Sequence, residues 1–295
     1  VTGELLKNVQ AYLTLEQQKN HPRLSAHRIR RLHKQAPAEI QQALQPFGYY
    51  RVKTTTALTP PKAGQTEWIA RYVIDLGEPL KLTTVDVHIS QEIAQDSVFK
   101  KLQANFPLKV GETLNHPKYE KSKRLLRNLA EERGFFDAQF TKHEIRIDEQ
   151  AYTASILLSL DTKQRYRFGD VTFKQDLFSQ SLMQRFLTFK PGDFYTGSAL
   201  LAFKNALTNS EYFSRAEVQI DRSSPTKDFR LPVQAILTPR KPNKYSAGIG
   251  YGTDTGVRSN LEWKRRYVNR YGHHFSAKAE LSEIRRSVAA RYSIP

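Results

Sequence analysis

No constellation of residues in this sequence is arranged for bond-breaking chemistry. There is no Gly-x-Ser-x-Gly turn to expose a serine, no Gly-x-x-x-x-Gly-Lys loop to cradle phosphate and no His-Glu-x-x-His to hold zinc. With no cysteine, disulfides, thiolate nucleophiles and thiolate metal sites are excluded together, which fits an oxidising compartment. His273 and His274 adjoin in a turn leading into a strand, where neighbouring side chains point to opposite faces, so they are not expected to share a metal ion. Asp75 and Asp161 recur, but at strand ends before turns, an ordinary place for Asp. Gly248-Ile249-Gly250-Tyr251-Gly252 has the look of a nucleotide-binding glycine string, yet no helix start follows it. The alternation of glycine with large side chains explains it better as a strand. The sequence therefore reads as a non-enzyme with no cofactor and no metal.

The elements that would position any site are organised by a repeat. Gly48-Tyr49-Tyr50 recurs as Gly134-Phe135-Phe136, 86 residues on, and Ile74-Asp75 recurs as Leu160-Asp161 at the same offset. A third copy, Glu211-Tyr212-Phe213 with Leu237-Thr238, follows 77 residues later. Each copy keeps the same distance from its aromatic pair to its last strand. In the second copy, Thr84–Ser90 alternates apolar and polar as a half-buried strand does. Asp96–Phe106 and the stretch after Asn115 carry helical spacing, with Tyr119, Ser122, Leu126 and Leu129 on one stripe. Gly134 ends that helix, where a left-handed cap costs glycine little. Two alternating strands, Ala138–Asp148 and Tyr152–Leu160, complete a β-α-α-β-β unit. The aromatic pair just past the cap is expected to hold helix to sheet rather than to bind a ligand.

From Tyr245 onward the pattern changes to period two. Tyr245, Ala247, Ile249 and Tyr251 share one face, with Ser246, Gly248, Gly250 and Gly252 on the other. Three more such runs follow, separated by turns at Thr253–Gly256 and Asn269–Gly272 and before Ser287. One apolar and one polar face fit a transmembrane barrel with a wet interior, and equally a soluble antiparallel sheet. The boundaries read as 1–82, 83–167, 168–243 and 244–295.

Composition adds limits. With 39% hydrophobic and 25% charged residues the chain is globular in character, and no apolar run is long enough for a membrane-spanning helix. No charged-then-apolar leader opens it, so any signal peptide is expected to have been removed already. The net charge of +17 points to polyanions or anionic lipid, or simply to a well-solvated surface. Its basic clusters, Arg28–Lys34, Lys118–Arg127 and Arg240–Lys244, are dispersed, unlike the concentrated face of a DNA reader.

Three such units running into barrel-like strands resemble the POTRA domains of the BamA-like assembly-factor superfamily, and in number and register its TamA-type members. The resemblance is carried by Ala43–Tyr50, Arg133–Lys142, Gln164–Phe173 and Ala247–Lys264, and it spans nearly the whole chain. It implies an α+β fold: three tandem POTRA domains followed by the first strands of an antiparallel outer-membrane β-barrel. It further implies a factor that helps insert and fold β-barrel proteins and autotransporters, in contact with outer-membrane lipid, with the POTRA domains in the periplasm and a TamB-like, inner-membrane-anchored partner. Nucleic acid is not an expected partner. The family's barrels have many more strands than the four here, and the later arginine-containing loop motif and the closing strand are missing. The first unit offers only Val1-Thr2-Gly3 for its opening strand, so the chain reads as clipped at both ends. Within the resemblance, Tyr245–Thr253 becomes a lateral gate. A weakly closed first strand exposes N–H and C=O groups that can template a client strand. Its glycines either weaken that seam or make room for lumen contents. The rivals are a two-partner secretion pore, BamA itself, a phospholipase fused to one such unit and a barrel, or a basic nucleic-acid-binding protein with aromatics exposed as stacking platforms; the missing serine turn argues against the phospholipase.

Overall fold

The computed structural model describes residues 1–22, 24–90, 93, 96–252, 256–282 and 284–295. The first module consists of α1 (Gly3–Tyr12), α2 (Thr14–Gln18), α3 (Ala26–Leu44), β1 (Lys53–Thr59) and β2 (Ile69–Asp75). Ser25 caps α3 by accepting a hydrogen bond from the Arg28 N–H. The helix buries Ile29, Leu32, Ala36, Ile40 and Ala43 at helical spacing and leaves Arg30, Arg31 and Lys34 in water. Val9 and Leu13 pack on that stripe from one side, and Tyr72 and Ile74 of the β1–β2 hairpin adjoin it. The opening residues depart from expectation. Thr2 is extended at the N-cap position, without a capping side-chain hydrogen bond, and Gly3 already begins α1. The period Leu5, Val9, Leu13 explains this, because it supplies an apolar helical stripe that a strand would split between two faces. Among the described residues β2 pairs only with β1.

In the second module β3 (Lys81–Ile89), α4 (Ser97–Ala104), α5 (His116–Glu132), β4 (Gln139–Asp148) and β5 (Thr153–Asp161) follow in order. The sheet order is β3-β5-β4, with β3 parallel and β4 antiparallel to the central β5. Ala154, Ile156, Leu158 and Leu160 of β5 alternate into the core, the strand period made physical. Asp96 caps α4 through the Val98 N–H, and the Asn115 side chain accepts from the Lys118 N–H at the start of α5. Tyr119, Ser122 and Leu126 of α5 are buried, whereas Lys118, Lys121, Arg124 and Arg127 are exposed.

The third module repeats the plan with β6 (Arg167–Lys174), a short α6 (Gln180–Gln184), α7 (Gly197–Asn209), β7 (Phe213–Ile220) and β8 (Arg230–Pro239), in the order β6-β8-β7. Its core is unusually aromatic. Phe168 stacks on Phe189 at 3.7 Å between centroids, with Phe178, Phe203 and Phe213 around them. After only three residues the chain enters a meander of β9 (Asn243–Gly252), β10 (Gly256–Arg265), β11 (His274–Ser282) and β12 (Arg286–Ser293). Among the described residues these strands form an open antiparallel sheet with β9 and β12 at its edges. Residues 253–255, where a turn was placed from sequence, lie outside the described residues.

The chain divides into two compact units. One comprises residues 1–129 and 138–162; the other comprises residues 130–137 and 163–295, so the second aromatic pair is grouped with the third module.

Candidate strand-templating edge and module joints

The chemistry of β9 is that of its backbone. It pairs with β10 from Asn243↔Arg265 to Gly252↔Gly256, which satisfies one side of the strand and leaves the other without a partner among the described residues. The cross-strand register sorts side chains as the period predicts. Tyr245, Ala247, Ile249 and Tyr251 lie opposite Trp263, Leu261, Ser259 and Val257, continuing through Ala277, Ala279 and Leu281 to Val288 and Ala290. This face is bare: Ile249 is 88% and Val288 84% exposed. A soluble protein rarely leaves so continuous an apolar face uncovered.

The glycines of β9 have a structural explanation. A Cβ on Gly248 would fall 2.4 Å from Oδ1 of Asn260, and one on Gly250 3.3 Å from Nε of Arg258. Cross-strand polar side chains fill the space over them. At Gly248 and Gly250 the absence of a Cβ leaves room for these neighbouring side chains.

The aromatic pairs have a different geometry from the one expected. Gly48 and Gly134 both adopt left-handed φ (+86° and +84°), and Tyr49 and Phe135 donate N–H bonds five residues back, to the Leu44 and Ala130 carbonyls, as a glycine-capped helix end requires. Each glycine then receives the following module. The Leu80 N–H donates to the Gly48 carbonyl and the Tyr166 N–H to the Gly134 carbonyl, each at 2.8 Å. Tyr49 packs on the first module's own core, and Phe135 is buried. The second residue of the pair does something else. The Tyr50 N–H donates to the Tyr152 hydroxyl, which in turn donates to the Glu78 carbonyl, and the Tyr50 hydroxyl meets Nε2 of His116 at 3.4 Å. Burial holds the His116 pKa below its usual value. Phe136 lies 4.9 Å from Tyr195 and 5.6 Å from Tyr166, under the guanidinium of Arg222 at 3.9 Å, and packs on the third module's core. These second aromatics join modules rather than anchor a helix to its own sheet. Sequence reading missed their partners Tyr152, Tyr166 and Tyr195.

In the third copy Glu211 takes the glycine's place, at φ +64°. Phe213 is fully buried in the module, and Tyr212 reaches into the β10–β11 turn, donating to the Gly272 carbonyl at 2.7 Å. Around that bond the Ser179 N–H donates to the Arg270 carbonyl, Tyr267 donates to the Arg240 carbonyl, and Lys264 pairs with Glu211. The Lys264 ammonium, with Lys244 and Arg266 nearby, holds the Glu211 carboxyl below the ordinary glutamate range. The helix-cap position that receives a module in the first two copies here seats a hairpin of the four-stranded sheet. His273 is spent on the same turn, its Nδ1 lying 2.9 Å from the Tyr292 hydroxyl, while His274 enters β11.

Residues 1–76 match the family model described as POTRA domain, TamA domain 1, and residues 86–163 and 166–234 match the POTRA model, described as surface antigen variable number repeat. The three modules are POTRA domains. Among solved structures, BamA from Haemophilus ducreyi lacking POTRA domains 1-3 superposes with a TM-score of 0.58 at 15% identity, covering 72% of this chain and 39% of that one. CdiB from Acinetobacter baumannii gives 0.44 at 17% identity, over 74% of this chain and 42% of that one. The POTRA3-5 fragment of Haemophilus influenzae BamA gives 0.40 at 15%, over 70% and 79%. The likeness to the first of these is one of fold. The chain spans about two fifths of the first BamA chain.

Proposed function

We propose that this chain is the POTRA region and opening barrel strands of a TamA-type assembly factor, which helps insert and fold β-barrel proteins and autotransporters in the outer membrane. Its POTRA domains stand in the periplasm and engage a TamB-like, inner-membrane-anchored partner. One observation carries the reading: after only three residues the third POTRA domain runs into an antiparallel sheet of strands that alternate between a bare apolar face and a polar one. The family model matched at residues 1–76 favours the TamA type over other members.

The mechanism follows from the strand. An edge offers N–H and C=O groups to any extended client without regard to its side chains, and a bilayer supplies no water to compete for them. A nucleic-acid-binding alternative needs cations interleaved with exposed aromatics. On the bare face Tyr245 and Tyr251 instead alternate with Ala247 and Ile249, and its cations, Arg265 and Arg286, stand at strand ends.

The test is proline substitution in the whole protein. Neighbouring residues of a strand bond to opposite sides, so of Ile249→Pro and Gly250→Pro one removes a donor from the free edge and the other from the β10 ladder. The free-edge variant reaches the outer membrane folded and fails to insert clients. Normal client insertion by both variants refutes the templating edge.

A further inference from the structure

We propose that the module-proximal end of the four-stranded sheet is a headgroup collar for anionic phospholipid, formed by Lys241, Arg265 and Arg270 beside a belt of aromatic side chains. The inference rests on reading the sheet as membrane-embedded, and it adds which lipid the rim selects and where.

The belt is set by register. Trp263 stands opposite Tyr245 and Ala277, and one step nearer the module Arg265 stands opposite Phe275, which itself faces Tyr292. Trp263 and Phe275 meet edge to face at 5.5 Å. The rings carry polar handles: the indole N–H donates to Oδ1 of Asn243, and the Tyr292 hydroxyl bonds His273. An apolar body with a hydrogen-bonding tip suits the boundary between hydrocarbon and headgroups. Farther along the same face Ile249, Leu261, Leu281 and Val288 are apolar, as the hydrocarbon layer demands, with Ser259 between Ile249 and Leu281 and Arg286 opposite Leu281 at the start of β12.

The cations lie where that boundary turns polar. Lys241, just before β9, Arg265, at the end of β10, and Arg270, in the following turn, are all exposed. Among the described residues none of the three is paired with an acid. Lys244 and Lys264 add to the charge, and they face each other directly across β9 and β10, an arrangement that repels unless an anion is close. Glu211 is the acid at hand, and Lys264 already holds it. The rim is thus a positive arc without enough protein carboxylate to balance it, next to a face that would meet lipid. Phosphate diesters of anionic lipid fit both demands, and the side chains need only snorkel to reach them.

The experiment is vesicle flotation of the full chain, diluted from detergent. It compares phosphatidylcholine vesicles with vesicles in which part of that lipid is phosphatidylglycerol. Each Lys or Arg held at an anionic surface raises partitioning about fivefold, so Lys241→Gln/Arg265→Gln/Arg270→Gln lowers the anionic preference roughly a hundredfold. Binding to neutral vesicles stays. A control removing equal charge from the second module, Lys118→Gln/Lys121→Gln/Arg124→Gln, retains the preference. Should the rim triple fail to fold, Arg270→Gln alone, outside the strand ladder, loses about fivefold. Equal losses in rim and control variants overturn the collar, as does a wild type that binds both vesicles alike. A wild type that binds neither overturns the membrane reading as well.

Discussion

Gly272→Ala tests how the third module holds the sheet. Gly272 sits at φ +78°, and a Cβ there would lie 2.7 Å from Cδ2 of Leu182 and 2.8 Å from the Tyr212 hydroxyl. The backbone conformation alone costs alanine about 1–2 kcal/mol. Leu182 can turn aside, but the tyrosine ring is rigid and its hydroxyl must retreat. That breaks the 2.7 Å bond to the Gly272 carbonyl, worth about 0.5–1.5 kcal/mol net. The total is roughly 2–3 kcal/mol, near the cost of a poorly tolerated core change. Tyr212→Phe removes only the donor and strands the carbonyl, about 1–3 kcal/mol. Because both changes break one bond, the double variant costs less than the sum of the two. Denaturant melts of the chain in detergent give the totals, and amide exchange over residues 266–273 shows where they act. Wild-type melting and unchanged exchange in Gly272→Ala would refute the clamp, and strict additivity would refute the shared bond.

Three further outcomes follow. Phe135→Ala, at a buried ring, lowers stability by about 3–5 kcal/mol in a denaturant melt, and Phe136→Ala, at a partly exposed one, clearly less; a reversed order contradicts the division of labour within the pair. Because the folded pKa of Glu211 is depressed, its contribution is complete at neutral pH and is lost as pH falls below the ordinary glutamate value and through the lowered one. The melting difference between wild type and Glu211→Gln therefore shrinks in acid; a pair this exposed gives a small effect that salt screens. His116 also has a depressed folded pKa, so its contribution is present above the unfolded histidine value and is lost as pH falls from there towards the folded value. Amide protection around Tyr50 should weaken over that window in the wild type but not in His116→Gln.

The parts of this fold legible in sequence are those that obey a short period. The alternation of β5 and of β9 to β12, the stripe of α5 and the cap at Gly134 all follow from local spacing, and the register of the four-stranded sheet puts each residue on the face its period assigns. The joints were not legible. Tyr50 meets Tyr152 across 102 residues, and Tyr212 meets Gly272 across 60, through contacts that no local pattern encodes. Repeat spacing misled in one place: it suggested a strand remnant at Val1–Gly3, where Leu5, Val9 and Leu13 already specify a helix. The neighbours of Gly248 and Gly250, Asn260 and Arg258, were not legible either, because they belong to the adjoining strand.

The templating edge is the claim on which the functional account stands, and these 295 residues hold no cysteine to compete with an engineered one. Single cysteines placed at Ser246, Gly248 and Gly250 in the whole protein, each paired in turn with cysteines along the last strand of a client stalled during assembly, report contact by disulfide formation. The account predicts crosslinks in a register that moves two client residues for each two-residue step along β9, and none from Ser276 or Lys278 of the internal strand β11. Crosslinks with no register, or confined to the POTRA domains, would contradict it.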